Sequence, residues 1–214
     1  MTDLLLAGKV AIITGAGRGI GRAVAERFAS LGAKLVLADN GASIDGKAHE
    51  PGVAQALAEK IGPAAVAFEQ DMASPDAAAD AVALAKEQFG GVDILVNNAA
   101  ILRDAMVWKG DPADFDAVIR NNLSSAWYLA NAATPLMRAQ ARKGARAGAF
   151  CRWFRRQGFT EITAYRLMPG RRPGCWALAA FGRWNWRGRA SPPMPSCPLP
   201  PPALPKVCRP QLIC

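Results

Sequence analysis

The sequence of 214 residues predicts an α/β protein built on a Rossmann-like, doubly wound parallel sheet. Three observations predict this fold class. Short apolar runs alternate with segments whose apolar residues recur at helical spacing. A glycine-rich turn joins the first apolar run to the first helical segment, and an aspartate ends the second apolar run about 20 residues after that turn. Strands that are apolar throughout are typical of a sheet covered by helices on both faces.

The predicted elements follow one another in strand–helix order. Pro75 begins one helix, and Asp111 caps a long helix that begins at Pro112, because an N-cap side chain and an N1 proline both suit a helix start. We expect right-handed crossovers, and we expect the sheet to end after the fourth strand and the long helix. The predicted strands are 9–14, 34–39, 64–69 and 92–97, and the predicted helices are 20–31, 53–61, 75–89 and one from 112 onwards. One face of the last helix carries Phe115, Val118, Ile119, Leu123, Ala126 and Leu129.

The composition changes near residue 145. Residues 1–144 have a net charge of −2, whereas residues 145–214 contain twelve Lys and Arg against the single acidic residue Glu161, a net charge of +11. All five cysteines, 11 of 16 prolines and four of six tryptophans lie in the second segment. We interpret residues 1–144 as one incomplete α/β domain and residues 145–214 as a basic tail that is irregular or disordered.

The glycine-rich turn indicates a nucleotide site. Glycine allows backbone N–H groups to approach a pyrophosphate, and the positive N-terminal end of the following helix faces that anion. A carboxylate at Asp39 can accept hydrogen bonds from both ribose hydroxyls and repels a 2′-phosphate, so we expect NAD to be preferred over NADP. The alternative is a tight strand–helix turn without a ligand. The candidate cofactor-binding residues of this region are Thr14, Gly15, Gly17, Arg18, Gly19, Ile20, Gly21 and Asp39.

Three motifs together resemble the short-chain dehydrogenase/reductase family. They are the Thr14–Gly21 turn, Asp71 after the third strand, and Asn97-Asn98-Ala99 after the fourth, although Ala100 stands where the family has glycine. The resemblance covers about residues 6–144. It implies an NAD(P)-dependent oxidoreductase that interconverts a secondary alcohol and a ketone on a small-molecule substrate. Residues 38–46 and 98–104 further resemble members that act on hydroxyacyl thioesters.

The resemblance also assigns roles to single residues. It implies that Asp71 and Met72 contact the adenine, that Asn97 and Ala99 line the nicotinamide side, and that Asn122 is the active-site asparagine of the long helix. Two alternatives stay open. Asp71 could instead cap the following helix, and Asn122 could bond a neighbouring backbone.

The proton-transfer residues of the family are missing. The family uses a tyrosine whose phenol is acidified by a lysine four residues later, with a serine that steadies the substrate oxygen. In this chain Tyr165 is followed at four residues by Pro169, and Tyr128 by Ala132. No serine lies between Ser125 and Ser191. We therefore expect negligible dehydrogenase turnover.

A shifted reading frame near residues 145–148 explains this loss. In one alternative frame the codons of residues 159–186 permit a string that contains Tyr-x-x-x-Lys, its tyrosine straddling the codons of Leu167 and Met168. The codons of residues 152–156 permit Val-Val-Ser-Ser in the same frame. We interpret the tail as an out-of-frame translation of the same family. A sequencing error, a pseudogene and a true product all remain open as its origin.

Taken literally, the tail suggests other partners. Its arginines interleave with aromatic residues, a composition that can bind nucleic acid or an anionic membrane surface, but we favour the out-of-frame origin and expect no nucleic-acid or membrane partner. The cysteines form no Cys-x-x-Cys pair, so we expect no metal site. No signal-type segment begins the chain, which favours a cytoplasmic location. Family members form homo-oligomers, whereas the missing second half argues against an oligomer here.

Overall fold

A computed structural model describes residues 4–142, 149–156 and 159–166. Its strands form one sheet in the order β3-β2-β1-β4-β5-β6. All neighbours are parallel except β5 and β6, which are antiparallel. The strands are β1 Val10–Thr14, β2 Lys34–Ala38, β3 Ala65–Phe68, β4 Ile94–Asn97, β5 Ala149–Arg156 and β6 Phe159–Arg166. The α-helices are α1 Gly19–Ser30, α2 Val53–Ile61, α3 Pro75–Phe89, α4 Pro112–Ile119 and α5 Ser125–Arg142.

The predicted doubly wound fold is confirmed by the packing of the central strands. Ile12 and Val36 point into one apolar core that contains residues of α3 and α5. Ile13 and Leu35, each one residue away, point into a second core that contains residues of α1 and α2. These four side chains are fully buried, because alternate residues of a strand face opposite sides of the sheet and helices cover both sides.

The sheet continues beyond the end that the sequence predicted. β5 pairs in parallel with β4, with Val96 opposite Cys151, and β6 returns antiparallel to β5. The backbone N–H and C=O groups on the open edge of β4 favour such an addition, and β5 and β6 are rich in aromatic and β-branched residues that suit strands. Residues 149–156 and 159–166 are therefore not irregular. The remainder of the predicted tail, and the proposed boundary at 144–145, lie outside the described residues.

The predicted long helix is interrupted. A π-helical turn over Arg120–Ser124 separates α4 from α5. A stripe of large apolar side chains, spaced four residues apart, runs along α4, this turn and the start of α5 and is exposed; it comprises Phe115, Ile119, Leu123 and Trp127. Only the far end of the predicted face, at Leu129, reaches the core. Within the part of the chain that the structure describes, none of the helices combines the length and the apolarity that a membrane crossing requires.

Candidate functional site

A cavity of about 330 Å³ lies at the carboxyl end of β1. β2 and β4 flank β1, so the loops after these three strands border the crevice where α/β proteins commonly bind ligands. The volume lies within the range of small-molecule pockets. The structure brings seven of the predicted cofactor-binding residues to its wall: Gly15, Arg18, Gly19, Asp39, Asp71, Met72 and Ala99.

The glycine turn is held by the loop after β4. The Thr14 hydroxyl accepts hydrogen bonds from the backbone N–H groups of Asn98 and Ala99, both at 3.0 Å. The Asn98 amide donates in return to the carbonyls of Thr14, at 3.1 Å, and Gly15, at 3.0 Å. Thr14 therefore supports the turn from behind, although its side chain does not border the cavity. Asn98 belongs to the Asn-Asn-Ala motif, but no role was predicted for its side chain.

Two glycines in the turn cannot be replaced without moving the backbone. Gly15 has φ +63°, and a Cβ there would lie 2.9 Å from the Cα of Ala99. A Cβ on Gly21 would lie 1.9 Å from the carbonyl oxygen of Gly15. The first turn of α1 therefore packs directly on the glycine turn. This contact brings the helix N-terminus, with its unpaired N–H groups and positive dipole, to the cavity.

Asp39 lies one residue after β2 and binds the turn. Its Oδ2 accepts from the backbone N–H of Gly17 and its Oδ1 from that of Gly41, each at 2.8 Å. A carboxylate has about four acceptor positions, so hydrogen bonds from a ribose can still be added. A Cβ on Gly17 would lie 2.7 Å from Cγ2 of Val53 and 3.1 Å from the Asp39 carboxylate, so this position also requires glycine.

Arg18 is the one cation on the cavity wall among the described residues. Its guanidinium is directed towards the loop after β2. Nη2 donates to the carbonyl of Gly41 at 2.6 Å, and Nη1 lies 3.5 Å from the Glu50 carboxylate. These contacts offset only part of the Arg18 charge. The Glu50 side chain is largely exposed, so water screens the ion pair.

The side of the cavity formed after β3 carries Asp71 and Met72. The Asp71 carboxylate accepts from the backbone N–H of Ala73 at 2.9 Å and lies 3.7 Å from Nη2 of Arg120. The N-cap of α3 is Ser74, and no side chain caps that helix. Asp71 therefore does not act as the helix cap that the sequence left open. Its role towards adenine stays a prediction.

Asn122 lies in the π-helical turn and holds the loop after β4. Its Oδ1 accepts from the N–H of Ile101 at 2.8 Å, and its Nδ2 donates to the carbonyl of the same residue at 2.9 Å. The Ser125 hydroxyl donates to the carbonyl of Asn121 at 2.5 Å. This bond gives the Asn121 carbonyl a partner in the π-helical turn, where the backbone hydrogen bonds depart from the α-helical pattern. The side-chain-to-backbone bond that the sequence left open is present, and the active-site role stays a prediction.

Several predicted residues lie beside the cavity wall. Gly17 and Gly21 shape the turn, Asn97 ends β4, and Ile20 is half exposed on α1. The loop between β2 and α2 was marked only by the resemblance of residues 38–46 to members that act on hydroxyacyl thioesters. Its residues that border the cavity were not predicted as cofactor-binding; they are Asn40, Ala42, Ser43 and Ile44. No periodic pattern marks an irregular loop. We call residues 40–50 the strap.

The strap is folded on itself. Ala42 and His49 form an isolated antiparallel bridge. The Ser43 hydroxyl donates to the Asp45 carboxylate and accepts from the N–H of Ala48 at 2.9 Å. The Ser43 hydrogen bond, followed by one from the backbone N–H of Lys47, lowers the pKa of Asp45 below its ordinary value. The strap is therefore a defined structure although it contains no long helix or strand.

Chemically, the described part of the cavity can bind an anion and polar hydroxyls. No tyrosine, lysine or histidine borders it among the residues that the structure describes. Nor do those residues include a group of three His, Cys, Asp or Glu that could hold a metal ion. The site as described therefore has binding groups without an evident proton donor.

Comparison with known proteins gives consistent matches over the first two thirds of the chain. Residues 9–146 match the family model for short chain dehydrogenases. Peroxisomal multifunctional enzyme A of Dictyostelium discoideum is 41% identical over 130 residues, which are 61% of this chain and 30% of that protein. The 3-oxoacyl-(acyl-carrier-protein) reductase FabG of Escherichia coli strain K12 is 36% identical over 136 residues, 64% of this chain and 51% of that enzyme.

A solved structure agrees. The 3-ketoacyl-(acyl-carrier-protein) reductase from Brucella melitensis, complexed with NADH, superposes with a TM-score of 0.60 at 35% identity. The match covers 66% of this chain and 55% of that one, so the chain spans about half or less of these relatives. The family match extends over more than half of the chain, and the resemblance of the sequence motifs is confirmed. The chain therefore belongs to the short-chain dehydrogenase family, a family of oxidoreductases that bind NAD(H) or NADP(H).

Proposed function

We propose that this chain binds NAD in the cavity at the carboxyl end of β1, with its pyrophosphate at the Gly15–Gly19 turn and its ribose at Asp39. The position of Asp39 carries this proposal. Its carboxylate borders the cavity, and it is already fixed by two backbone N–H groups at 2.8 Å. A fixed carboxylate binds a ribose diol without the cost of ordering a mobile side chain.

The residues present fit the dinucleotide. The N-terminus of α1 reaches the turn because Gly15 and Gly21 allow close packing, and this end of a helix favours a pyrophosphate. Asp71 supplies an acceptor for the amino group of adenine on the side of the cavity formed after β3. When bound, NAD would supply a hydride acceptor beside the loop after β4. In this proposal Asn97 and Ala99 line the nicotinamide side and Asn122 keeps that loop in place.

The same geometry supports NAD over NADP. A 2′-phosphate adds about 1.5 to 2 negative charges beside Asp39. The one cation on the described part of the cavity wall, Arg18, directs its guanidinium to Gly41 and Glu50, which offset part of its charge. A phosphate would therefore meet the Asp39 carboxylate with only part of the Arg18 charge to balance it.

We infer the activity of the family type from the relatives. It is the interconversion of a secondary alcohol and a ketone, with hydroxyacyl thioesters as the substrate class. The name of one relative, a 3-oxoacyl-(acyl-carrier-protein) reductase, supports an acyl substrate. We place the protein in the cytoplasm. Assembly into homo-oligomers belongs to the intact family type rather than to this chain.

For this chain we propose dinucleotide binding without turnover. No Tyr-x-x-x-Lys occurs in the sequence, and no serine lies between Ser125 and Ser191. A frameshift near residues 145–148 accounts for their loss. The second candidate is a nucleotide-binding fragment whose tail, with a net charge of +11, contacts an anionic partner. Salt-sensitive DNA binding that depends on residues 146–214 would favour that second candidate.

The test uses the purified 214-residue chain. NADH binding is followed by its fluorescence, and turnover by NADH formation from NAD and a panel of secondary alcohols and 3-hydroxyacyl thioesters. Saturable binding without turnover is expected. An absence of NADH binding contradicts the proposed site, and saturable NADH formation contradicts the proposed inactivity. The nucleotide sequence around codons 140–150 tests the frameshift separately.

A further inference from the structure

The loops after β2 and β4 meet above the end of β1. In the sheet these two strands lie on opposite sides of β1, so their loops begin on opposite sides of the glycine turn. Nevertheless the N–H of Leu102 donates to the carbonyl of Ile44 at 2.8 Å. Ile44 and Ile101 both border the cavity. The strap therefore bridges the crevice that contains the turn instead of lying along one side of it.

The Arg103 side chain stabilises this contact between the strap and the loop after β4. Its Nε donates to the carbonyl of Asp45 in the strap at 2.9 Å, and its Nη1 donates to the Asp114 carboxylate in α4 at 2.6 Å. Only 19% of the Arg103 side chain is exposed, so both bonds are partly shielded from water. One side chain thus connects the strap, the loop after β4 and the helix that leads to Asn122.

We infer that Arg103 is a positioning residue for the dinucleotide: it holds the strap closed across the middle of the bound cofactor and thereby controls its exchange. This inference rests on the proposed binding of NAD in the cavity. A dinucleotide that lies from Asp71 to Ala99 passes between the glycine turn and the bridge. Entry and exit then require the strap to move away from Leu102 and Arg103.

The two bonds of Arg103 determine how often the strap opens. Both involve the charged guanidinium, and such bonds are stronger than neutral ones. Their removal raises the fraction of molecules with an open strap by about 5- to 30-fold. Because both entry and exit pass through the open form, the association and dissociation rate constants both increase. The dissociation constant changes less than either rate.

The experiment measures NADH exchange by stopped-flow fluorescence on the full chain. Association is followed after mixing with NADH, and dissociation after a chase with excess NAD. The variants are Arg103→Ala, Arg103→Lys and Asp114→Asn. Lys60→Ala is the matched control, since it removes the exposed ion pair with Glu26, outside the cavity wall. Thermal unfolding by circular dichroism reports whether each variant folds.

The expected result is faster association and faster dissociation in Arg103→Ala, by about 5- to 30-fold. The rate constants of Arg103→Lys and Asp114→Asn lie between those of Arg103→Ala and the parent chain. Lysine keeps the charge but has a single donor group, and Asp114→Asn leaves the bond from Arg103 to Asp45 intact. A merely structural role would lower stability and leave exchange unchanged or slow association. If Arg103→Ala does not fold, the exchange rates of Asp114→Asn, compared with those of Lys60→Ala, test the inference.

The outcomes separate the two proposals. If the parent chain does not bind NADH, the proposed function is wrong and the inference is wrong with it. If the parent binds NADH and the Arg103 and Asp114 variants exchange it at the rates of Lys60→Ala, NAD binding stands and the role of Arg103 is overturned.

Discussion

Replacement of Asp39 by asparagine separates the two effects of its carboxylate. Asp39→Asn removes one negative charge from the cavity wall and keeps nearly the same shape. Asparagine has a single acceptor oxygen, so it can retain only one of the two bonds from Gly17 and Gly41. The charge acts on a 2′-phosphate, whereas the bonds and the ribose contact act on either cofactor. The two cofactors therefore respond differently.

The magnitude follows from the partly exposed position of Asp39. Two unit charges about 4 Å apart interact by about 1 kcal/mol in bulk water and about 4 kcal/mol near a protein surface. An intermediate value of about 2 kcal/mol corresponds to about 30-fold in the ratio of the NADPH and NADH dissociation constants. The lost acceptor weakens NADH binding by about ten-fold. For NADPH this loss is offset by the removed repulsion, so its affinity stays similar or rises.

The assay is a pair of fluorescence titrations, with NADH and with NADPH, on the parent chain and the variant. Asp71→Asn is the matched control, because it makes the same chemical change on the adenine side of the cavity. Adenine is common to both cofactors, so this control changes both affinities together and leaves their ratio constant. Circular dichroism verifies that both variants retain the fold.

One result would refute the electrostatic reasoning. If Asp39→Asn changes the ratio no more than Asp71→Asn does, the carboxylate does not meet the 2′ position. The preference for NAD would then need another origin, and the proposed ribose position at the end of β2 would be wrong.

The remaining predictions concern the turn, the π-helical segment and the strap. Gly21→Ala abolishes NADH binding in a fluorescence titration, because its Cβ would lie 1.9 Å from the Gly15 carbonyl oxygen; undiminished binding contradicts the close packing. Asn122→Leu lowers the free energy of unfolding in urea by about 2 kcal/mol, since two bonds to Ile101 are lost, and an unchanged midpoint contradicts their importance. The pKa of Asp45 is lowered in the folded chain. The charged carboxylate therefore stabilises the strap at every pH above the ordinary pKa of an aspartate, and this contribution is lost as the pH falls through the lowered pKa of the folded chain. NADH exchange is therefore faster below about pH 4 than at about pH 5, and an exchange rate that is the same at these two pH values contradicts the assignment.

The central strands and helices could be predicted because each carries its own periodic pattern. β3 was expected at 64–69 and is found at Ala65–Phe68, and α2 was expected and found at 53–61. The apolar run of β1 predicted burial on both faces, which the two cores confirm. In these segments the local sequence and the tertiary packing favour the same structure.

The strap and its fastening could not be predicted in this way. Arg103 and Asp45 are 58 residues apart, and their contact is a single side-chain-to-carbonyl bond. No short-range pattern marks such a pair. The interruption of the long helix was missed for a related reason. Both Asn121 and Ser125 occur in ordinary α-helices, and the bond from the Ser125 hydroxyl to the Asn121 carbonyl is visible only in the structure. The exposed apolar stripe from Phe115 to Trp127 has helical spacing, and spacing alone does not tell which partner covers a face.

The location of the proposed binding groups supports the proposal that this chain binds a dinucleotide without turnover. Among the described residues, the cavity is bordered by loops that follow β1, β2, β3 and β4 and by the π-helical segment with Ser125, all before residue 126. The loops after β1, β2 and β4 are each tied to another part of the site by a defined bond: Thr14 to Asn98, Asp39 to Gly17, and Asn122 to Ile101. The paired tyrosine and lysine that the resemblance assigns to proton transfer are not found after Ser125, and the next serine is Ser191. In the proposal of binding without turnover, the groups that hold the dinucleotide and the bonds that position them lie before the residues that the proposed frameshift alters.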